Sequence, residues 1–135
     1  MERDELTYKI IGCAMRVHNV LGNGFQEVIY QRCLAIEFFN EGLIYEREKA
    51  QNIFYLGTNV GIRRADFVVE NHLIVELKAL INLEDVHLVQ AKNYVAAYDF
   101  ARGLLINFGA ISLQYKLIFN PKYQPLASPK NPLAT

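Results

Sequence analysis

The chain has 135 residues, 52% of them hydrophobic, and its 14 Lys and Arg balance 14 Asp and Glu to a formal net charge of zero. That length corresponds to about one domain with room for a sizeable core. The neutral balance argues against tight, non-specific wrapping of nucleic acid, which draws on many phosphate contacts, but it leaves room for a local basic strip or a metal supplying positive charge.

The opening Met1-Glu2-Arg3-Asp4-Glu5 is too charged for a secretory signal, and no run approaches ~18 apolar residues. Cys13 and Cys33 lie in segments that read as helices, with no Cys-x-x-Cys, so a disulfide framework is not expected. The expectation is a cytoplasmic protein without membrane contact.

Ile10, Ala14, Val17 and Leu21 recur at helical spacing and predict a helix over 6–21, broken by Gly22-Asn23-Gly24. A second helix is expected over 25–40, with Val28, Leu34, Ile36 and Phe38 among its apolar positions and Gly42 placed for its C-terminus. Residues 44–49 and 52–56 read as one long edge strand or two pieces, followed by a turn at Leu56-Gly57-Thr58-Asn59. Residues 62–70 and 73–79 are strands joined through Glu70-Asn71-His72. Asn82 is the expected N-cap of a helix reaching about residue 100, with Glu84 and Asp85 in its first turn. Two last strands are expected over 103–108 and 113–119. All four prolines (Pro121, Pro125, Pro129, Pro132) fall after Asn120, which predicts an irregular arm over 121–135 behind a single domain over 1–120. The order reads as an α/β chain, an α+β mixed sheet with helices against it.

Strand side chains alternate between faces. Glu76 and Lys78 therefore share one face of their strand, and Arg64, Asp66 and Val68 share one face of the strand before it. A hairpin centred on Asn71 sets position 66 across from 76 and 64 across from 78, with opposed Cβ atoms ~5 Å apart. Two carboxylates and two cations then crowd one patch of an apolar hairpin. Adjacent carboxylates repel until a proton or a cation intervenes. Hard oxygen ligands of this kind suit Mg²⁺, with Mn²⁺ as a substitute, and such an ion activates water for phosphodiester hydrolysis. A lysine beside it can orient that water or stabilise charge on a phosphate.

The plainer alternative is a pair of surface salt bridges, Asp66 to Arg64 or Glu76 to Lys78. Against it stands Ile74-Val75-Glu76-Leu77-Lys78-Ala79-Leu80, a largely apolar strand in which an unpaired charge is costly. Downstream, Gln90 and Tyr94 stand one helical turn apart, roughly joined by His87. They can hold a phosphate oxygen or a bound water; equally, Tyr94 can be a core residue and Gln90 a boundary one.

Gly24-Phe25-Gln26-Glu27-Val28-Ile29-Tyr30 fits a Gly-x-x-Glu-x-x-Tyr signature. With it come His18-x-x-Leu21-Gly22, Asp66, Val75-Glu76-Leu77-Lys78-Ala79, Gln90-x-x-x-Tyr94 and Gly103-Leu104-Leu105-Ile106-Asn107-Phe108-Gly109. In this order the chain resembles the bacterial GxxExxY protein family, usually placed in the PD-(D/E)XK nuclease superfamily. The resemblance implies a restriction-endonuclease-like αβββαβ core, here with an extra N-terminal helix. It implies Asp66 and Glu76 as metal ligands, the Leu77 carbonyl as a third, and Lys78 as the residue that positions or activates water. It also implies Glu27 as an extra ligand or a holder of bound water. Gln90 and Tyr94 resemble the Gln-x-x-x-Tyr element of RecB-type nucleases, which supports the site and contacts substrate.

Without that pattern, Glu27 reads as a first-turn glutamate favouring its helix dipole. His18 is kept as a supporting residue, Tyr30 as a packing or hydrogen-bonding neighbour of Glu27, and Arg64 as a phosphate contact or an ion-pair partner of Asp66 or Glu70. The function expected is a metal-dependent nuclease acting on DNA, single-stranded or at ends, working with a second copy or a protein partner. The alternative is a catalytically silent module that binds nucleic acid or protein.

Overall fold

The computed structural model describes residues 3–121. The arm expected over 121–135 lies outside them beyond its first residue. Helix α1 (Arg3–Leu21) ends where Gly22 turns left-handed, its φ of 68° letting its N–H reach the His18 carbonyl at 2.8 Å. Helix α2 (Glu27–Asn40) ends in a Schellman motif at Gly42, with Gly42 N–H bonded to Phe39 O and Leu43 N–H to Phe38 O, both at 3.0 Å. Both glycine signals held. The apolar pattern of α2 held only in part. Tyr30, Gln31, Leu34, Ala35 and Phe38 are buried, whereas Val28 and Ile36 face out.

Five strands follow: β1 (Tyr45–Tyr55), β2 (Thr58–Val69), β3 (Leu73–Lys78), β4 (Arg102–Asn107) and β5 (Gln114–Phe119). They lie in sequence order in one mixed sheet. Every neighbouring pair is antiparallel except β3–β4, which is parallel and joined by α3 (Asp85–Ala97). The open choice over residues 44–56 resolves as one edge strand, with a register shift at Ile53/Phe54 and a left-handed residue at Glu48.

Two boundaries of α3 differ from expectation. Its N-cap is Glu84 rather than Asn82, because Glu84 and His87 close a capping box that Asn82 stands too early to make. It stops at Ala97 because Asp99 turns left-handed, with Asp99 N–H bonded to Ala96 O and Phe100 N–H to Val95 O.

Helices α1 and α2 cover one face of the sheet, packing Ile10, Ala14, Leu34 and Phe38 against Phe67, Val75, Leu77, Leu104 and Ile106. Helix α3 covers the other, with Ala91 and Val95 against Leu105 and Ile118. A Cβ on Gly103 would lie 2.5 Å from Val95 Cγ2, so α3 needs a glycine on β4 to sit that close. Strands β3 and β4, buried on both faces, form the rigid centre from which the polar residues project. Among the described residues no helix is long and apolar enough to cross a membrane.

Candidate active site

The β2–β3 hairpin turns through Glu70 and Asn71, both left-handed, and pairs Val69 with Leu73, Val68 with Ile74 and Phe67 with Val75. Carried one step on, that register sets Asp66 against Glu76, as the Asn71-centred hairpin requires. There the backbone ladder stops, and the Asp66 side chain takes over from it. Asp66 Oδ2 accepts the Leu77 N–H at 2.8 Å.

Side-chain alternation also slips at this point. Phe67 and Val69 belong to the core under α1 and α2, whereas Val68 and Ala65, three apart, both belong to the cluster under α3. The slip turns Arg63 toward the site and Arg64 away from it. Arg63 Nη2 lies 3.3 Å from Glu76 Oε2, and its guanidinium stacks 4.2 Å from the centre of the Tyr94 ring. Arg64, read as a phosphate contact or an ion-pair partner of Asp66 or Glu70, is exposed and donates to the Glu48 carbonyl at 3.3 Å.

Glu76 is 4% exposed. Burial, and then the Asp66 carboxylate beside it, push its carboxyl up to about 8, against the opposing pull of Arg63 and Lys78. Its Oε1 is buried without a protein hydrogen-bond partner, as are Arg63 Nε and the Tyr98 hydroxyl. Tyr98 is buried one helical turn beyond Tyr94, its phenol raised by burial and then by Glu76. Glu27, in the first turn of α2, is raised by burial and then by Asp66, and lowered by Lys78 and Arg63. Lys78 is half-buried at the end of β3, where its charge acts on both Glu27 and Glu76.

The supporting residues fix the backbone around this cluster. Tyr30 is fully buried and stacked on Phe108 with ring centres 4.7 Å apart. Its hydroxyl donates to Gly22 O at 2.6 Å and accepts from Phe25 N–H at 3.2 Å, clamping the loop that delivers Glu27. His18 Nε2 donates to Ala110 O at 3.0 Å, tying α1 to the segment after β4. Asn107 is fully buried and holds Leu80 from both sides, donating to its carbonyl at 2.9 Å and accepting its N–H at 2.8 Å. Gln31 donates to Asp66 Oδ1 at 2.8 Å.

Asp66, Glu76, Glu27 and Lys78 therefore come together, with Tyr94 entering through Arg63. Gln90 is exposed on α3 one turn before Tyr94. Sequence reasoning missed Arg63, Gln31 and Tyr98. Gln31 follows Glu27 by four and Tyr98 follows Tyr94 by four, a spacing that puts each on its partner's helix face. For Arg63 no such signal exists, because strict alternation points it the other way.

The donors fit a hard divalent ion. Asp66 and Glu76 offer carboxylate oxygens on one patch, and the buried Glu76 Oε1 has acceptor capacity that the protein does not use. Among the described residues no three His, Cys, Asp or Glu side chains group closely enough to form a cage. An ion here would rest on Asp66 and Glu76, with backbone carbonyl and water completing its shell. Glu27 then fits a holder of water better than a direct ligand.

A model of the PD-(D/E)XK nuclease superfamily matches residues 4–118. The chain belongs to that superfamily. The crystal structure of SSO0001 superimposes with a TM-score of 0.57 at 19% identity, over 70% of this chain and 50% of that one. This chain thus spans half the length of that relative, and the likeness speaks to fold. No curated protein matches the chain. The superfamily's mixed αβββαβ core is the one described above, with α1 added before it and β5 after it.

Proposed function

We propose that this superfamily member is a divalent-ion-dependent nuclease that hydrolyses phosphodiester bonds of DNA, single-stranded or at ends, in the cytoplasm. The observation that carries the reading is the meeting of Asp66 and Glu76 at the end of the hairpin ladder with Lys78 beside them, Glu76 buried and its Oε1 unused by the protein. Mg²⁺ is the ion we assign, with Mn²⁺ able to replace it. Such an ion, when bound, draws charge off a phosphoryl oxygen and makes water more acidic.

The protein's own groups do the rest. Asp66 and Glu76 supply the negative charge that selects a cation. The Lys78 ammonium orients the attacking water and stabilises charge developing on the phosphate. Arg63, held flat by Tyr94, presents N–H donors to the phosphate and fills the part first assigned to Arg64. Water adds to phosphorus as the P–O ester bond opposite it breaks, leaving an alcohol on one fragment and a phosphate monoester on the other. Gly24, Glu27 and Tyr30 support placement in the GxxExxY branch, where Tyr30 secures the loop and Glu27 holds water near Lys78. Tyr94 beside Arg63, with Gln90 a turn away, supports the Gln-x-x-x-Tyr assignment and a substrate path along α3.

The test incubates labelled single- and double-stranded DNA and RNA with the purified protein in EDTA, Mg²⁺ or Mn²⁺, beside Asp66→Ala and Lys78→Ala. Ion-dependent cleavage lost in both variants supports the reading. Binding without cleavage, unchanged by Asp66→Ala, would instead identify a silent nucleic-acid-binding module.

A further inference from the structure

One buried amide on α2 joins two carboxylates. Gln31 is 5% exposed, and its Nε2 uses both protons, one toward Asp66 Oδ1 at 2.8 Å and one toward Glu48 Oε1 at 3.0 Å. The β1–β2 register steps from Arg47↔Phe67 directly to Lys49↔Ala65, so Glu48 and Asp66 are the opposed pair that drops out of the ladder. Like charges directly opposed across a strand pair are unfavourable; here a donor sits between them. Glu48 also has a φ of 56°, a left-handed conformation that strains a glutamate backbone, and Arg64 donates to its carbonyl at 3.3 Å. The strain falls on the residue that reaches Gln31.

We propose that Gln31 and Glu48 are positioning residues that fix the orientation of the Asp66 carboxylate, Gln31 by direct hydrogen bond and Glu48 by locking the Gln31 amide. The proposal rests on the reading of Asp66 as an ion ligand. An ionised carboxylate only accepts, so Glu48 holds the Gln31 NH₂ end toward both acids and keeps the amide oxygen from turning onto Asp66. With Oδ1 on Gln31 and Oδ2 on Leu77 N–H, Asp66 cannot rotate, and its remaining lone pairs stay aimed at one place.

The experiment reads the metal-free and the metal-titrated protein on the full chain. In ¹⁵N spectra, the Gln31 side-chain amide protons of wild type are expected to be protected from exchange. They should lose protection in Asp66→Ala and Glu48→Ala and keep it in Glu48→Gln, which retains an acceptor oxygen. In calorimetric titration with Mn²⁺, Gln31→Ala should bind ~10–100-fold more weakly, the usual cost of losing a group that orients a ligand. Glu48→Ala should lose less, and the double variant should be no weaker than Gln31→Ala alone, because both act through one bond.

Thermal unfolding in parallel separates positioning from stability. An unchanged Mn²⁺ affinity in Gln31→Ala, with only a lower melting temperature, overturns the proposal, and so does strict additivity in the double variant. A wild type that binds no Mn²⁺ overturns the ion-site reading instead. The Gln31 amide signals then decide alone, and protons that exchange freely in wild type, or stay protected in both alanine variants, refute the bracket.

Discussion

On the α2 side of the site Asp66 has both oxygens engaged, by Gln31 and by Leu77 N–H. On the α3 side Glu76 has one oxygen on a 3.3 Å bond to Arg63 and the other without a protein partner. Four buried side-chain polar atoms among the described residues lack a partner, and three of them (Arg63 Nε, Glu76 Oε1 and the Tyr98 hydroxyl) lie around Glu76. The contrast separates two jobs that a sequence motif merges. Asp66 is set in place by the fold, whereas Glu76 is left with capacity that a ligand can use, and buried polar groups in that state are costly in the protein alone.

The largest effect expected is on turnover. Lys78→Ala should lower cleavage on the order of 10²–10³-fold, the range seen when one positioned charge-stabilising donor is removed, with little change in fold. Gly109→Ala comes next and acts on the scaffold both halves share. Its Cβ would fall 2.4 Å from backbone atoms of Ala79 and Leu80, so the segment after Lys78 must move, and unfolding should become about 1–3 kcal/mol easier in denaturant titration.

The third prediction tests Glu76 by pH. Glu76 has a folded-state pKa raised from 4.5 to about 8, so it binds its proton more tightly folded than unfolded. Its contribution to stability is complete below about pH 4.5 and is lost as pH rises through about 8. Melting of the ion-free protein should therefore fall over that window, Glu76→Gln should flatten the fall, and Mg²⁺ should offset it at the alkaline end. The smallest effect belongs to Tyr98→Phe. Removing a buried hydroxyl that has no protein partner should leave stability within about 1 kcal/mol of wild type, on the neutral or favourable side. A clear loss would mean that the hydroxyl is bonded in solution and that the two regions differ less than described.

The same contrast marks what was legible in the sequence. Glycine-terminated helices and the hairpin centred on Asn71 follow from local rules that act within a few residues, and each was found where expected. Three features were not legible, two of them because they depend on tertiary context. Alternation slips at Asp66 because its side chain replaces a ladder bond, which exchanges Arg63 for Arg64. Glu84 outcompetes Asn82 as N-cap because His87 completes the box. Gln31 counts as a core position of α2 by its burial and as a polar one by its bonds, and only the approach of β1 and β2 reveals its partners. The apolar positions Val28 and Ile36 of α2 are exposed, since an apolar residue on a helix does not by itself say which stripe is covered.

The most direct test of the central claim, that the fixed Asp66 and the underused Glu76 serve one cation, is calorimetric titration of Mn²⁺ at pH 8 into wild type, Asp66→Ala and Glu76→Gln. One site is expected in wild type, lost in Asp66→Ala and strongly weakened in Glu76→Gln. Binding that persists unchanged in both variants, or no binding in wild type, would contradict it.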